Sequence, residues 1–534
     1  MSLSRRKILA GSGIAASSLA IGTLATSEAA ATPKAAPQPF RPHDWKSVRA
    51  QFLLDPELAH LSNFFFASNP TPVREAIAKY RKAFDENPYS YLDDNMFARD
   101  EDMLWRKVCA AAAEYVGGRP EEIALTSSTT MGLALIYNGL RLKPGQEILT
   151  TTHEFYPHHE SMRLAAGRSG ATVRKIPLYE SSLNFSADQA VARIRAAVRP
   201  HTRVVGVTWV HSNTGVRLPI AKIAAALKDL NRHRHESDRI LLVVDGVHGF
   251  GVVDEDVAAM GCDFFSAGTH KWILGPHGTG IIWAKPENWA LLQPTIPSLM
   301  ASETTDAWRE DRPPTGPTQA AWISPGGFFA YEHQWATIEA FNFHRQIGRK
   351  RIQDRIAELN GQIKQGLARM KHVTLHTPLA PQLSAGIVCF DVHGYKPQDV
   401  VQILRDNGVI ASATRGHGGG VGFGQGGSGQ WCPPAWATAT VPSGPVEADA
   451  QASADALPAG QPTRVQVSVK RTNTLVGGAH RVTSGPCTTK IMRRRRPSCP
   501  GVGRDCSERG RWRGHGFDER KSLFGPHAPL CAQR

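Results

Sequence analysis

Cysteine is scarce in the part of the chain that has to build a fold. Only Cys109, Cys262 and Cys389 precede residue 415, scattered too widely for a disulfide framework. The other five, Cys432, Cys487, Cys499, Cys506 and Cys531, lie in the C-terminal stretch without the paired spacing of a metal site. Long apolar runs are lacking too, and 41% hydrophobic with 20% charged residues is an ordinary globular composition. A multi-span membrane protein and a wholly disordered chain are both excluded. Acidic residues run short at one end: from Arg415 onward, 17 Lys/Arg stand against 7 Asp/Glu. That stretch holds +10 of the net +15, which leaves about +5 for the first 414 residues. The charge therefore gives the body no nucleic-acid signature, and no nucleic-acid partner is expected. At roughly 150 residues per domain, a chain of 534 suggests two or three domains.

What is present begins with an address. Ser4-Arg5-Arg6-Lys7-Ile8-Leu9 opens a weakly apolar, small-residue stretch that ends at Ala29-Ala30-Ala31. Residues 1–31 read as a cleavable secretory signal, too short and too rich in small residues for a membrane span. The paired arginines resemble a twin-arginine signal, which exports proteins already folded. Periplasmic or extracellular destination follows, and with it a first hint of a cofactor acquired before export.

After a Pro/Ala-rich linker, residues 32–48, apolar runs and helical periodicity alternate. Candidate strands are 123–125, 147–151, 172–176, 203–209, 240–244, 263–266 and 280–284. Runs such as Val204-Val205-Gly206-Val207 and Ile240-Leu241-Leu242-Val243-Val244 suit strands buried on both faces, as in parallel sheets. Helical patterns at 186–198 and 220–232 fill gaps between them, so the expected fold class is α/β with an open, mostly parallel sheet. A long helical pattern over 331–370 follows, then a strand at 385–392, a helix at 397–407 and a strand at 409–413. These make residues 331–414 a smaller α/β domain after a large one at 49–330. From 415 to 534 the periodicity is lost, glycine, arginine and scattered cysteine dominate, and no structure is expected. The change after Thr414 has the character of a shifted reading frame of GC-rich DNA.

Ligands of open α/β sheets bind beyond the carboxyl ends of the strands. There the sequence places Ser127-Ser128-Thr129-Thr130 before an apolar helix, a pattern that suits an N-cap or an anion site. Other strand ends carry His153-Glu154-Phe155, His211-Ser212-Asn213, Asp245-Gly246-Val247-His248 and Thr269-His270-Lys271-Trp272. Singly, each has a structural explanation. Together they supply an anion cradle, an aromatic face, a carboxylate for a pyridine nitrogen and an amine for an aldehyde, which is the recognition set of pyridoxal 5′-phosphate.

Asp245-Gly246-Val247-His248, with Lys271 in Ser266-Ala267-Gly268-Thr269-His270-Lys271-Trp272, resembles the core of the class V aminotransferases. These fold-type I pyridoxal-phosphate enzymes include cysteine desulfurases, kynureninases and isopenicillin N epimerase. Gly275-Pro276-His277-Gly278-Thr279-Gly280 resembles the segment after the family's lysine. Leu61-Ser62-Asn63, Asn69-Pro70, Pro72-Val73 and Glu86-Asn87-Pro88 resemble the epimerase-like members, and the likeness covers about 50–414. The resemblance implies a large domain with a seven-stranded sheet and a smaller domain, here truncated. It makes Lys271 the Schiff-base lysine and Asp245 the partner of the pyridine nitrogen. It puts His248 near the ring oxygen, Phe155 on the ring face, Thr129 and Thr130 on the phosphate with His270, and Asn213 close by. It also implies a homodimer with its sites at the interface.

Two features depart from the family. Its interface Gly-Thr has its nearest match in Gly326-Gly327, without threonine, and the stretch that carries the substrate-carboxylate arginine gives way to the tail. The expected function is an aminotransferase or epimerase acting on an amino acid or small amine. A cofactor-binding protein without turnover is the alternative. Cysteine desulfurase is disfavoured, because Cys389 sits inside an apolar strand. No metal is expected: Pro157 breaks the His-Glu-x-x-His pattern after His153, whatever His158 and His159 suggest. Gly422–Gly427 fits the dinucleotide fingerprint by chance, with no helix after it, and Arg493–Arg496 reads as a solvated run.

Overall fold

The apolar runs of the middle of the chain pair with one another. The computed structural model describes residues 39–97, 102–415 and 435–440. An N-terminal segment comes first, with α1 (Trp45–Arg49), β1 (Ala59–His60), α2 (Thr71–Glu86), α3 (Pro88–Met96) and α4 (Leu104–Val116). Strands and helices then alternate: β2 (Ile123–Thr126), α5 (Thr129–Gly139), β3 (Glu147–Thr151), α6 (Tyr156–Ser169) and β4 (Thr172–Ile176). The series continues with α7 (Ala187–Ala197), β5 (Thr202–Thr208), α8 (Ile220–Asn231), β6 (Leu241–Asp245), β7 (Phe264–Gly268) and β8 (Gly280–Trp283).

These seven strands form one sheet in the order β2-β8-β7-β6-β5-β3-β4. Only β8 is reversed, lying antiparallel to both of its neighbours. The period of two is visible in the packing. Val205, Val207, Leu242 and Val244 enter one apolar cluster, while Val204, Leu241 and Val243 enter another on the opposite face. Each such side chain, removed from water, contributes about 1.5–3 kcal/mol. The covering helices show the complementary pattern: α8 buries Ile220, Ile223, Ala224 and Leu227, one stripe at helical spacing. Strand limits fall within one or two residues of the sequence expectation.

The chain continues through α9 (Pro286–Trp289), α10 (Ser302–Arg309) and α11 (Ala320–Ile323). The single long helix expected over 331–370 is two, α12 (Tyr331–Ile347) and α13 (Arg349–Ala368). Gly348, at φ 97°, breaks it where a side chain would be strained. Next come β9 (Val373–Leu375), β10 (Ile387–Val392) and α14 (Pro397–Asp406). The strand expected over 409–413 divides into β11 (Val409–Ile410), parallel to β1, and β12 (Ser412–Arg415).

One expectation is corrected. The stretch from 415 on contains a strand, β13 (Ala435–Thr440), that lies between β12 and β10 in a four-stranded sheet ending at β9. Both pairings are antiparallel, and Ala437 stands opposite Phe390 on one side and Ala413 on the other. Its sequence, Ala-Trp-Ala-Thr-Ala-Thr, alternates alanine with one tryptophan and two threonines and has no apolar run to announce it. Residues 1–31, expected to be a signal, and the Gly422–Gly427 and Arg493–Arg496 runs lie outside the described residues.

Candidate active site

The carboxyl ends of β2, β6 and β7 converge at one edge of the sheet. Ser128 caps α5, its Oγ accepting the Met131 N–H at 3.2 Å. Thr129 ties that helix start to the end of β7, its Oγ1 accepting the Gly268 N–H at 2.7 Å. Close approach requires Gly132, because a Cβ there would collide with the Ser266 Oγ. The first-turn N–H groups of α5 have no partner within the helix, which leaves an anion cradle at this edge. Thr130 stands exposed in that turn.

Asp245 ends β6 and is only 5% exposed. Its Oδ1 accepts the Val247 N–H at 3.1 Å. Burial raises the pKa of this carboxyl, while the positive fields of His158 and Lys271 oppose the shift. Lys271 follows β7, and burial lowers its amine from 10.5 to about 8 against the pull of Asp245. Its Nζ lies 3.3 Å from His248 Nε2, and Trp272 Nε1 donates to His248 Nδ1 at 3.2 Å. Burial, with Lys271 adding to it, pushes His248 well below the usual imidazole range. The Phe64 ring covers the pair, 5.7 Å from His248 and 6.5 Å from Trp272 between centroids.

The loop that carries the lysine is pinned from a distant part of the chain. Asn69 Nδ2 donates to the carbonyls of Leu274 at 3.0 Å and Gly275 at 2.9 Å. Leu274 is held at φ 63°, a left-handed conformation costly for a branched side chain. His270 Nδ1 lies 3.3 Å from the Thr279 carbonyl, and burial lowers its pKa.

A wholly buried polar network occupies the ends of β3 and β5. Glu154 Oε1 accepts from the Thr151 hydroxyl at 2.6 Å, and its Oε2 lies 3.2 Å from His158 Nδ1 and bonds the Thr208 hydroxyl. Tyr137 meets His158 Nε2 at 2.9 Å. Burial alone would raise the Glu154 carboxyl, but the hydrogen bond and charge of His158 hold it below the ordinary range. The three histidines weighed as metal ligands diverge. His153 stacks on Tyr179 at 3.9 Å, His158 faces Glu154, and His159 Nε2 meets the Thr151 carbonyl at 2.7 Å. Among the described residues no group of three His, Cys, Asp or Glu is placed to hold a metal.

Thr129, Asp245, His248, His270 and Lys271 are thus gathered at one sheet edge. Phe155, exposed at the start of α6, and Asn213, half-buried after β5, stand at adjoining strand ends. Sequence reasoning missed the Trp272–His248 bond, the Asn69 clamp and the Glu154–His158 pair. Glu154 and His158, four apart, carried a signal for the last. The donor set fits pyridoxal 5′-phosphate: a helix start for the phosphate, a buried carboxylate for the ring nitrogen and an amine near neutrality for the aldehyde.

Comparison with known proteins agrees. The chain belongs to the aminotransferase class-V family, whose model matches residues 67–421. It is 29% identical over 358 residues to isopenicillin N epimerase of Streptomyces clavuligerus, covering 65% of this chain and 84% of that one. It is 24% identical over 372 residues to a probable cysteine desulfurase of Halalkalibacterium halodurans, covering 67% and 83%. Among solved structures it resembles a lysine-to-alanine mutant of C-DES with glycine covalently linked to its PLP cofactor, at TM-score 0.62 and 24% identity, covering 74% and 94%. It also resembles the cysteine desulfurase CsdA of Escherichia coli, at TM-score 0.60 and 18% identity, covering 75% and 94%. The fold is the fold-type I fold of pyridoxal-phosphate enzymes, and family membership makes that compound the cofactor.

Proposed function

We propose that this protein acts on the Cα–H bond of an amino acid or small amine, as an epimerase or an aminotransferase. The observation that carries the reading is the Lys271 amine, brought to about 8 by burial, beside His248 and within the field of Asp245. Bound pyridoxal phosphate supplies an aldehyde for the substrate amine and a ring that takes up the electron pair left when the Cα proton departs. Lys271 Nζ, uncharged, carries the lone pair that accepts that proton. Asp245, desolvated at the end of β6, favours a cationic partner and so keeps a proton on the ring nitrogen. Thr129, Thr130, His270 and the first turn of α5 hold the phosphate. Phe155 would cover the ring, with His248 near its oxygen and Asn213 close by.

The relatives named isopenicillin N epimerase favour epimerisation. Sulfur abstraction needs a reachable thiolate, yet the three cysteines among the described residues, Cys109, Cys262 and Cys389, are all buried. Burial pushes the Cys109 thiol up to about 12 and raises Cys262 as well. The change of sequence after Thr414 favours a second reading, a cofactor-holding protein without turnover. The exposed rings of Phe66, Phe328 and Phe329 support a homodimer, and Arg5-Arg6 supports export; sedimentation and a secretion reporter test these two points.

The test of function is a spectral titration of the cofactor-loaded chain with a panel of amino acids, using Lys271→Ala as the blank. An enzyme shifts its visible band on addition of substrate, and a mere holder does not. A colourless preparation after loading contradicts both readings.

A further inference from the structure

The tautomer of the histidine beside Lys271 is dictated by its other neighbour. Trp272 Nε1 donates to His248 Nδ1 at 3.2 Å, and an indole N–H can only donate. Nδ1 therefore carries the lone pair and the ring proton sits on Nε2. That N–H faces Lys271 Nζ at 3.3 Å. An ammonium has three donors and no lone pair, so it would oppose donor to donor, whereas an uncharged amine accepts the bond. The indole is itself immobilised. A Cβ on Gly386 would lie 2.9 Å from its Cζ2, Phe64 stacks on it at an interplanar angle of 20°, and Trp272 is buried. The groups that face Lys271 electrostatically are Asp245 at the end of β6, His248 after it, and His270 next to the lysine.

We propose that Trp272 is a positioning residue: its N–H locks His248 in the Nε2–H tautomer, so that His248 donates to Lys271 and selects the uncharged amine for cofactor capture. This deepens the function proposed above and rests on Lys271 being the cofactor's lysine. Trp272→Phe keeps an aromatic ring beside Phe64 and removes the N–H, together with the outer part of the indole that packs on Gly386. The imidazole can then take the other tautomer, accept from an ammonium and stabilise the charge.

Two measurements on the cofactor-free full-length chain test the device. Competitive labelling with acetic anhydride, read on the peptide that carries Lys271, follows the uncharged amine against pH. Trp272→Phe is expected to move that profile to higher pH, with roughly tenfold less labelling at neutral pH. An unchanged profile, or one moved to lower pH, overturns the proposal. The second measurement needs no variant at position 272: nitrogen NMR of histidine-labelled protein, with His248→Gln to assign the resonance. A protonated Nε2 and a bare Nδ1 are expected, and a proton on Nδ1 overturns the proposal even if Trp272→Phe does not fold. Neither readout uses the cofactor. Failure of the wild type to take up pyridoxal phosphate would therefore defeat the functional reading separately.

Discussion

An amine that must attack an aldehyde has to be uncharged, and Lys271 reaches that state near pH 8 where a solvated lysine needs about 10.5. The sign follows: protonated amine is inert, so capture of pyridoxal phosphate by the cofactor-free chain should speed up as pH rises and level off above about 8. Stopped-flow absorbance across pH 6–10 checks this, and a rate still climbing steeply at the alkaline end contradicts it. Asp245→Asn should still take up cofactor but turn over ~10²-fold more slowly, since the ring nitrogen loses its counter-charge. Steady-state kinetics with whichever amino acid shifts the band measures that loss. Lys271 and Asp245 were legible in the sequence because an anion cradle, a carboxylate and an amine follow successive strands and match the class V motif, although each alone had a structural explanation. Trp272 and Asn69 were not, since their hydrogen bonds exist only once distant segments meet. The Asn69 clamp joins residues 205 apart in the chain.

Elements explain why those side chains stay put. The ends of β3 and β5 rest on Glu154 and His158, whose side chains are wholly inaccessible. His158→Leu should strand a buried carboxylate and cost about 3–5 kcal/mol in urea unfolding, and a loss below about 1 kcal/mol would contradict the pairing. The central strands β5 and β6 were readable because burial on both faces demands near-continuous apolar runs, while the edge strand β4, Thr-Val-Arg-Lys-Ile, is only partly buried. The break between α12 and α13 was not readable. Apolar periodicity continues through it, and a single glycine, at φ 97°, sets the change of direction. β13 was missed for a different reason. A short strand of alanine, threonine and a single tryptophan gains its place from the backbone groups of β10 and β12 on either side, which no local pattern reports.

At the scale of the molecule, the small sheet reaches the large one through the lysine loop, where Gly386, just before β10, packs against Trp272. β13 fills the space between β10 and β12. A chain ended after Arg415 should therefore expose two strand edges and self-associate, visible as larger species in light scattering. A monodisperse product of the shortened chain would contradict that role. The family and its cofactor rest on the whole arrangement, but the chemistry converges on one atom. Borohydride reduction of the cofactor-loaded protein, followed by digestion and mass mapping, tests it directly. The account predicts the reduced cofactor on the peptide that contains Lys271; an unmodified Lys271 with label elsewhere, or with none, would contradict it.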